Sequence, residues 1–296
     1  AEEEGYAQPI LLGRKKKIAE LIEEIGLEFE NAIIIDPKEE EEIGKCEEFG
    51  QIFFEKRQRK GFTLHEARKI MRERNYYGSM MVETGEADAL ISGITRNYKD
   101  VIRPALQVVG KQDGVDKVAG MYVLVTKRGP LFLADTTVNF DPTAEELSEI
   151  TNMVAKKVRQ LNVQPKIALL SYSNFGSAPG VDSKKMSKAR GIINERYPHL
   201  VVDGEIQANF ALNNELRMEK FSFSSLGNKN VNTLIFPNLS AGNIAYKLLQ
   251  EMNDEVDAIG PILLGIKKSV HVLQLGSSVR EISNMVKVAV LDAQTK

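Results

Sequence analysis

The sequence predicts an α/β protein of two lobes, with mainly parallel sheets and helices on both faces. Three observations point there. From Lys166 onward, strand-like and helix-like stretches alternate, which is the pattern of a parallel sheet wound with helices. Ahead of that, "KVAGMYVLVTKRGPLFLADTTVN" holds two strand-like runs joined by "KRGP" and reads as a hairpin. The length of 296 residues favours two lobes over one.

The elements follow in chain order. "PILLG" (Pro9–Gly13) is a short buried-strand pattern. Lys15–Phe29 places Ile18, Leu21, Ile22 and Ile25 at helical spacing. "NAIIIDP" (Asn31–Pro37) is a strand ended by Asp-Pro. "EEEE" (Glu39–Glu42) suits a solvated helix start, where the helix dipole favours negative charge. Thr63 and Glu66 form a capping box, each side chain satisfying an orphan backbone donor. "ADALISG" (Ala87–Gly93) is a strand, and "RNYKDVIRPALQVV" is a helix interrupted or begun near Pro104. Past the hairpin, Thr143 and Glu146 give a second capping box. Leu147, Ile150, Val154, Val158 and Leu161 then line one helix face. The alternation follows: strand "KIALL", loop "SYSNFGSAPG" and a helix; strand "LVV", "DGEIQ" and a helical stretch; strand "NTLIF", "PNLSAGN" and helix "IAYKLLQEM". "AIGPILLG", "SVHVL" and a helix near Val279–Ala293 complete the chain.

Composition excludes several classes. The net charge of −2 argues against a nucleic-acid partner. One cysteine, Cys46, permits neither an internal disulfide nor a cysteine metal cluster, and suits a reducing, cytoplasmic setting. His65, His199 and His271 are far apart and no metal site is expected. No apolar run has the ~20 residues of a membrane span. No dinucleotide fingerprint, P-loop or nucleophile elbow occurs. His271, between two valines, reads as a core or wall residue ahead of a base.

Ligands of parallel α/β sheets bind beyond the carboxyl ends of the strands. Three successive strands end in polar or small residues: Ser171–Ser177, Asp203–Gln207 and Pro237–Asn243. Each alone is an ordinary connection. Together they outline a binding cleft, with backbone NH groups of the Ser/Gly loop suited to phosphate or carboxylate. Candidate ligand-binding residues are Ser171, Ser173, Ser177, Asp203, Glu205 and Asn243. Arg57, in the basic run "FFEKRQRKG", and Arg103, between Ile102 and Pro104, are candidate anion contacts. Arg57 equally suits a solvated helix end.

"DGEIQ", "FPNLSAGNIAYKLLQ", "IGPILLG" and the Ser/Gly loop resemble the phosphate acetyl/butyryl transferase family over nearly the whole chain. The resemblance implies a two-lobed fold like the isocitrate and isopropylmalate dehydrogenases, an active cleft between lobes, and acetyl transfer between coenzyme A and phosphate. It implies one lobe over 1–116 plus 270–296, and a second, with a dimerisation surface, over 117–269. The chain opens "AEEEGYAQPILLG", without Met, and the resemblance implies a first strand and helix before Ala1.

A finer likeness lies in "RGPLFLADTTVNFDPTAEELSEIT", "SNFGS", "VHVL" and "VREISNMVKVAVLDA". These look like the phosphotransacetylase-like C-terminal domain of bacterial NADP-dependent malic enzymes. That domain is expected to sense acetyl-CoA or a related acyl-CoA and to support a homodimer or larger homo-oligomer. It would be covalently linked to a malic enzyme module, which alone would carry NADP and a divalent metal; no cofactor is expected here. Active transacetylases typically read Ser-Thr-Lys-Gly-Ser in the first loop, where this chain has Asn174 and Phe175 at the Thr and Lys positions. Their later Ser-Arg pair is Gln274 and Leu275 here, and Glu281 stands where the family has Asp. The loss of preorganised charge donors predicts weak or absent transacetylase activity. An active phosphate acetyltransferase and a ligand-free dimerisation domain are the competing expectations.

Overall fold

The computed structural model describes residues 1–2, 4–26, 33–252 and 256–295. In chain order these form β1 (Ile10–Leu12), α1 (Lys15–Glu24), β2 (Ile33–Ile35), α2 (Ile43–Arg57), α3 (Leu64–Ile70), α4 (Arg74–Thr84), β3 (Ala89–Ser92) and α5 (Tyr98–Val108). Next come β4 (Ala119–Thr126), β5 (Gly129–Ala134), α6 (Ala144–Gln160), β6 (Lys166–Leu170), α7 (Val181–Arg196), β7 (Val201–Ile206), α8 (Ala208–Leu212), α9 (Asn214–Lys220), β8 (Thr233–Ile235), α10 (Leu239–Glu251) and β9 (Asp257–Leu264). β10 (Ser269–Val272) and α11 (Val279–Thr295) close the chain. Ala1–Gly110 with Ile266–Lys296 make one unit, and Lys111–Gly265 make a second. Phe29, Asn31 and Ala32, placed above in a helix and a strand, lie outside the described residues.

The first unit holds two parallel strand pairs, β1 with β2 and β3 with β10. Its core is helical. Phe49 and Phe53 of α2 meet Tyr77 and Tyr76 of α4 edge-on, at centroid distances of 5.1 and 5.7 Å, a favoured aromatic geometry. Gly50 lets α3 approach closely, since a Cβ there would lie 2.6 Å from Arg68 Cα. The helix expected to break near Pro104 instead starts at Tyr98 and runs through it.

The second unit carries a six-stranded sheet in the order β7-β6-β8-β5-β4-β9. β7, β6, β8 and β5 are parallel, while β4 runs antiparallel to both β5 and β9. The sheet is therefore mixed, because the Thr126–Gly129 hairpin reverses the chain: Thr126 Oγ1 donates to Gly129 O and accepts from Arg128 N. Helix α6 buries Leu147, Ile150, Val154 and Val158, as its spacing predicts. Helix α7 adds Met186, Ala189 and Ile193. Elsewhere in the unit, Tyr122, Leu133, Leu170, Ile206 and Phe236 form a cluster with Tyr246 of α10. Both capping boxes form as predicted, Thr63 with Glu66 and Thr143 with Glu146.

Candidate functional site

Within the second unit, β6, β8 and β5 are adjacent and parallel, so the segments leaving them share one sheet edge. β7 lies on one side of β6 and β8 on the other. This reversal of strand order marks where such sheets bind ligands. The segments at this edge are Ser171–Gly180, the start of α10, and Asp135–Asn139. The third differs from the expectation. β7 runs on through Asp203, Gly204 and Glu205 to Ile206, so "DGEIQ" is strand and not loop.

Both carboxylates of that strand are buried and engaged. Asp203 Oδ2 accepts from Ser224 Oγ and Ser225 N at 2.8 Å each, and Arg190 Nε lies 3.3 Å from Oδ1. Asp203 therefore anchors the Phe221–Ser225 segment. Glu205 Oε1 accepts from Ser173 Oγ at 3.0 Å and from Gly176 N at 2.6 Å. Its backbone carbonyl accepts from Phe175 N at 2.9 Å. Glu205 thus lies inside the Ser/Gly loop, where an external anion was expected.

The rest of the loop is satisfied in the same way. Ala178 N donates to Ser173 Oγ, Asn174 N to Ser177 Oγ, and Ser173 N to Ser171 Oγ, at 3.0–3.3 Å. Ser177 N donates to Asn174 O, and Ser171 N to Ile206 O. Asn174 Oδ1 accepts from Gln207 N at 2.8 Å. The amides from Ser173 to Ala178 are all committed internally, so this loop offers side-chain contacts and surface, not a row of free NH donors.

Phe175 has φ of 49°, a left-handed conformation that a bulky residue adopts only when its surroundings impose it. Its ring packs edge-on against Phe221 at 5.1 Å and Phe223 at 4.9 Å, and Phe210 extends the cluster through Phe221 at 5.0 Å. Phe223 is 69% exposed. The sequence reading missed this cluster, although "FSFSS" (Phe221–Ser225) carries its alternating signal. Arg217 underlies it. This fully buried guanidinium donates six hydrogen bonds to five neutral oxygens, on Phe210, Ala211, Asn214, Gly227 and Lys229. Desolvation lowers its pKa.

Asp135 was also missed. Its side chain accepts from the backbone amides of Gly120, Thr137, Val138 and Asn139, shaping the loop after β5. Burial pushes its carboxyl up, while the donors on Thr137, Val138 and Asn139 pull it down. Asn243 is not in a loop, because α10 begins at Leu239, capped by Asn238 Oδ1 on Ala241 N. Asn243 Nδ2 donates to Thr136 O at 3.1 Å and ties α10 to the Asp135 loop. Asn238 Nδ2 reaches Asp182 Oδ2 of α7 at 3.3 Å.

The remaining candidates belong to the first unit. Arg57 ends α2 and donates to Gln107 O at 2.8 Å and Leu106 O at 3.1 Å. It caps the carboxyl end of α5, where cations are stabilised, so it is not the solvated helix end of the alternative reading. Arg103, on α5, is exposed. Leu275 is 67% exposed, and Gln274 is half-buried beside it. Glu281 Oε2 accepts from Ser278 N at 2.7 Å while Ser278 Oγ accepts from Glu281 N, the arrangement of a capping box at the start of α11. His271 is fully buried, its Nε2 3.3 Å from Asp292 Oδ2 and 3.3 Å from Ser269 Oγ. Its carboxylate partner lies 21 residues on, out of reach of sequence reasoning. Among the described residues, no cluster of three or more His, Cys, Asp or Glu could hold a metal. No helix there is long and apolar enough to cross a membrane.

A family model described as phosphate acetyl/butaryl transferase matches residues 1–290. The NADP-dependent malic enzyme of Escherichia coli strain K12 is 39% identical over 293 residues, 99% of this chain and 38% of that protein. The phosphate acetyltransferase of Clostridium acetobutylicum is 37% identical over 298 residues, 98% of this chain and 88% of that protein. The solved structure of a phosphotransacetylase from Streptococcus pyogenes superposes with a TM-score of 0.86 at 34% identity, covering 99% of this chain and 87% of that one. The chain thus spans 38% of the length of the malic enzymes it matches.

Proposed function

The chain belongs to the phosphate acetyl/butaryl transferase family, and from that premise we propose that it is a ligand-sensing and oligomerisation domain of an NADP-dependent malic enzyme. It binds acetyl-CoA or a related acyl-CoA at the carboxyl edge of the second unit's sheet, without efficient acetyl transfer to phosphate. The ligand acts on the attached module by binding two of its states with different affinity, the requirement of any allosteric effector.

One observation carries this reading. At the position where the resemblance expects a lysine, Phe175 is locked into an aromatic cluster and supplies no charge to a phosphate. Leu275, at the expected arginine position, supplies none either. Removing one preorganised donor costs about 10²–10³ in rate, and effects within one site do not simply add. The malic enzyme likeness over 99% of the chain supports the fusion.

An active phosphate acetyltransferase is the second reading. It is favoured by the match to 88% of the Clostridium acetobutylicum enzyme's length. Isothermal titration with acetyl-CoA tests the sensor. Saturable heat at millimolar ligand or below is expected, and its absence in the full gene product would overturn the sensing role.

A further inference from the structure

The turn between α2 and α3 concentrates positive charge. Lys56–Arg74 carries eight lysines and arginines against two glutamates, in a chain of net charge −2. Both carboxylates are committed to helix starts: Glu66 accepts from Thr63 N and Oγ1, and Glu73 from Asn75 N and Tyr76 N. Several of the cations are committed too. Lys56 pairs with Glu83, Arg57 caps α5, and Arg72 reaches Lys38 O at 3.4 Å. Arg59, Lys60, Arg68 and Lys69 are different. All four are exposed, and none pairs with a carboxylate among the described residues. Lys15 and Lys45 of the same unit, by contrast, each hold two glutamates.

A cavity of about 620 Å³ opens at this turn, within the range of small-molecule sites. Lys60, Gly61, Phe62, Glu66, Lys69 and Ile70 line it. Gly61, with φ of 89°, takes the left-handed conformation that turns the chain from α2 towards α3. Phe62 and Ile70 are half-buried. The Phe62 ring is fixed edge-on against buried Phe53, at a centroid distance of 5.0 Å. Lys60 and Lys69 therefore flank an apolar wall whose aromatic ring is held by the core. Arg59 and Arg68, next in sequence to the two lysines, add to the positive field there. Glu66 is held below the ordinary carboxylate range by the backbone and side-chain hydrogen bonds of Thr63, so it stays ionised at neutral pH. A single phosphate would feel that repulsion. Several phosphates spread over four cations offset it.

We propose that this turn binds an organic polyphosphate of the nucleoside triphosphate class. Its phosphates take Lys60 and Lys69, with Arg59 and Arg68 supplying the surrounding charge, and its planar base lies against Phe62 and Ile70. Charge complementarity selects the polyanion, since lysine and arginine are the natural partners of a phosphate chain. The cavity selects a small molecule over an acidic protein face, because a flat partner would leave the aromatic wall unfilled. That wall in turn selects a ligand with a base over inorganic polyphosphate, because bases stack on aromatic rings. The inference is independent of the acyl-CoA reading, which concerns the sheet edge of the second unit.

Isothermal titration of the full gene product with magnesium-free ATP tests this. Saturable binding in the micromolar range is expected, and its absence would overturn the proposal. Lys60→Gln combined with Lys69→Gln should weaken binding about tenfold or more. Unchanged affinity in that variant would place the nucleotide elsewhere and overturn the assignment. Lys16→Gln with Lys17→Gln removes the same charge from another exposed part of the first unit and should leave the affinity as it is. An equal loss in the two pairs would mean that net charge, and not this turn, attracts ATP. Tripolyphosphate should bind about tenfold more weakly than ATP, through loss of the stacked base. Equal affinity would show a charged surface with no seat for a base, against the proposal. Saturating acetyl-CoA should leave ATP binding intact, and displacement would assign the turn to the acyl-CoA instead.

Discussion

The six-stranded sheet of the second unit and the strand pairs of the first arise from the same alternation of strand and helix, yet they differ in closure. β6 buries four of its five residues, whereas β1 and β3 bury none completely. In the second unit the buried polar side chains of Asp203, Glu205 and Arg217 each have several partners. An apolar run is enough to make a strand, but a strand becomes core only with neighbours on both sides. The second unit should therefore be sensitive to single polar deletions, and the first tolerant beside β1 and β3.

The largest expected effect is at Arg217. Arg217→Met takes from five oxygens, one of them on buried Ala211, the donor they share and should cost about 3 kcal/mol by urea unfolding. Amides of the first unit should be unaffected, and a loss below about 1 kcal/mol would break the comparison. Glu205→Ala comes next, at about 2–3 kcal/mol, with faster exchange across Ser173–Ala178. Glu205→Gln keeps an acceptor oxygen and should cost about half as much. Phe175→Lys should cost about 2 kcal/mol through lost ring packing. Combined with Leu275→Arg, it should raise acetyl phosphate formation at least tenfold over the wild type. No gain would show that charge at these positions is not what the site lacks.

The smallest effect concerns pH. The Lys117 side chain hydrogen-bonded to Glu146 holds that carboxyl below the ordinary range, and the Thr143 backbone amide helps while burial opposes. A depressed carboxyl stabilises the fold above its unfolded pKa of ~4.3 and loses that contribution as pH falls through the folded value. The difference between wild type and Glu146→Gln should be under about 1 kcal/mol at pH 7. It should shrink on acidification below pH ~4. A difference that grows in acid would reverse the sign.

What the sequence made legible was local. Both capping boxes are readable because donor and acceptor sit three residues apart. The start of α10 was readable too, since Asn238 is a cap signal, but the Gly and Ser after it suggested a loop. Arg57 was not readable, because its acceptors lie 49 and 50 residues away. Strand β7 was cut short for the same reason: Asp203 and Glu205 look like loop residues until Ser224, Ser225, Ser173 and Gly176 arrive to satisfy them. The insertion of β8 between β6 and β5 has no local signal, and it sets the start of α10 between the Ser/Gly loop and the Asp135 loop along the sheet edge.

The most direct measurement is the rate of acetyl phosphate formation by the wild-type full gene product at saturating acetyl-CoA and phosphate. A phenylalanine at position 175 and a leucine at position 275 predict turnover below ~10⁻² per second, under conditions where acetyl-CoA binding saturates. Turnover of ~1–10³ per second, the ordinary enzyme range, would contradict a sensing domain without efficient chemistry.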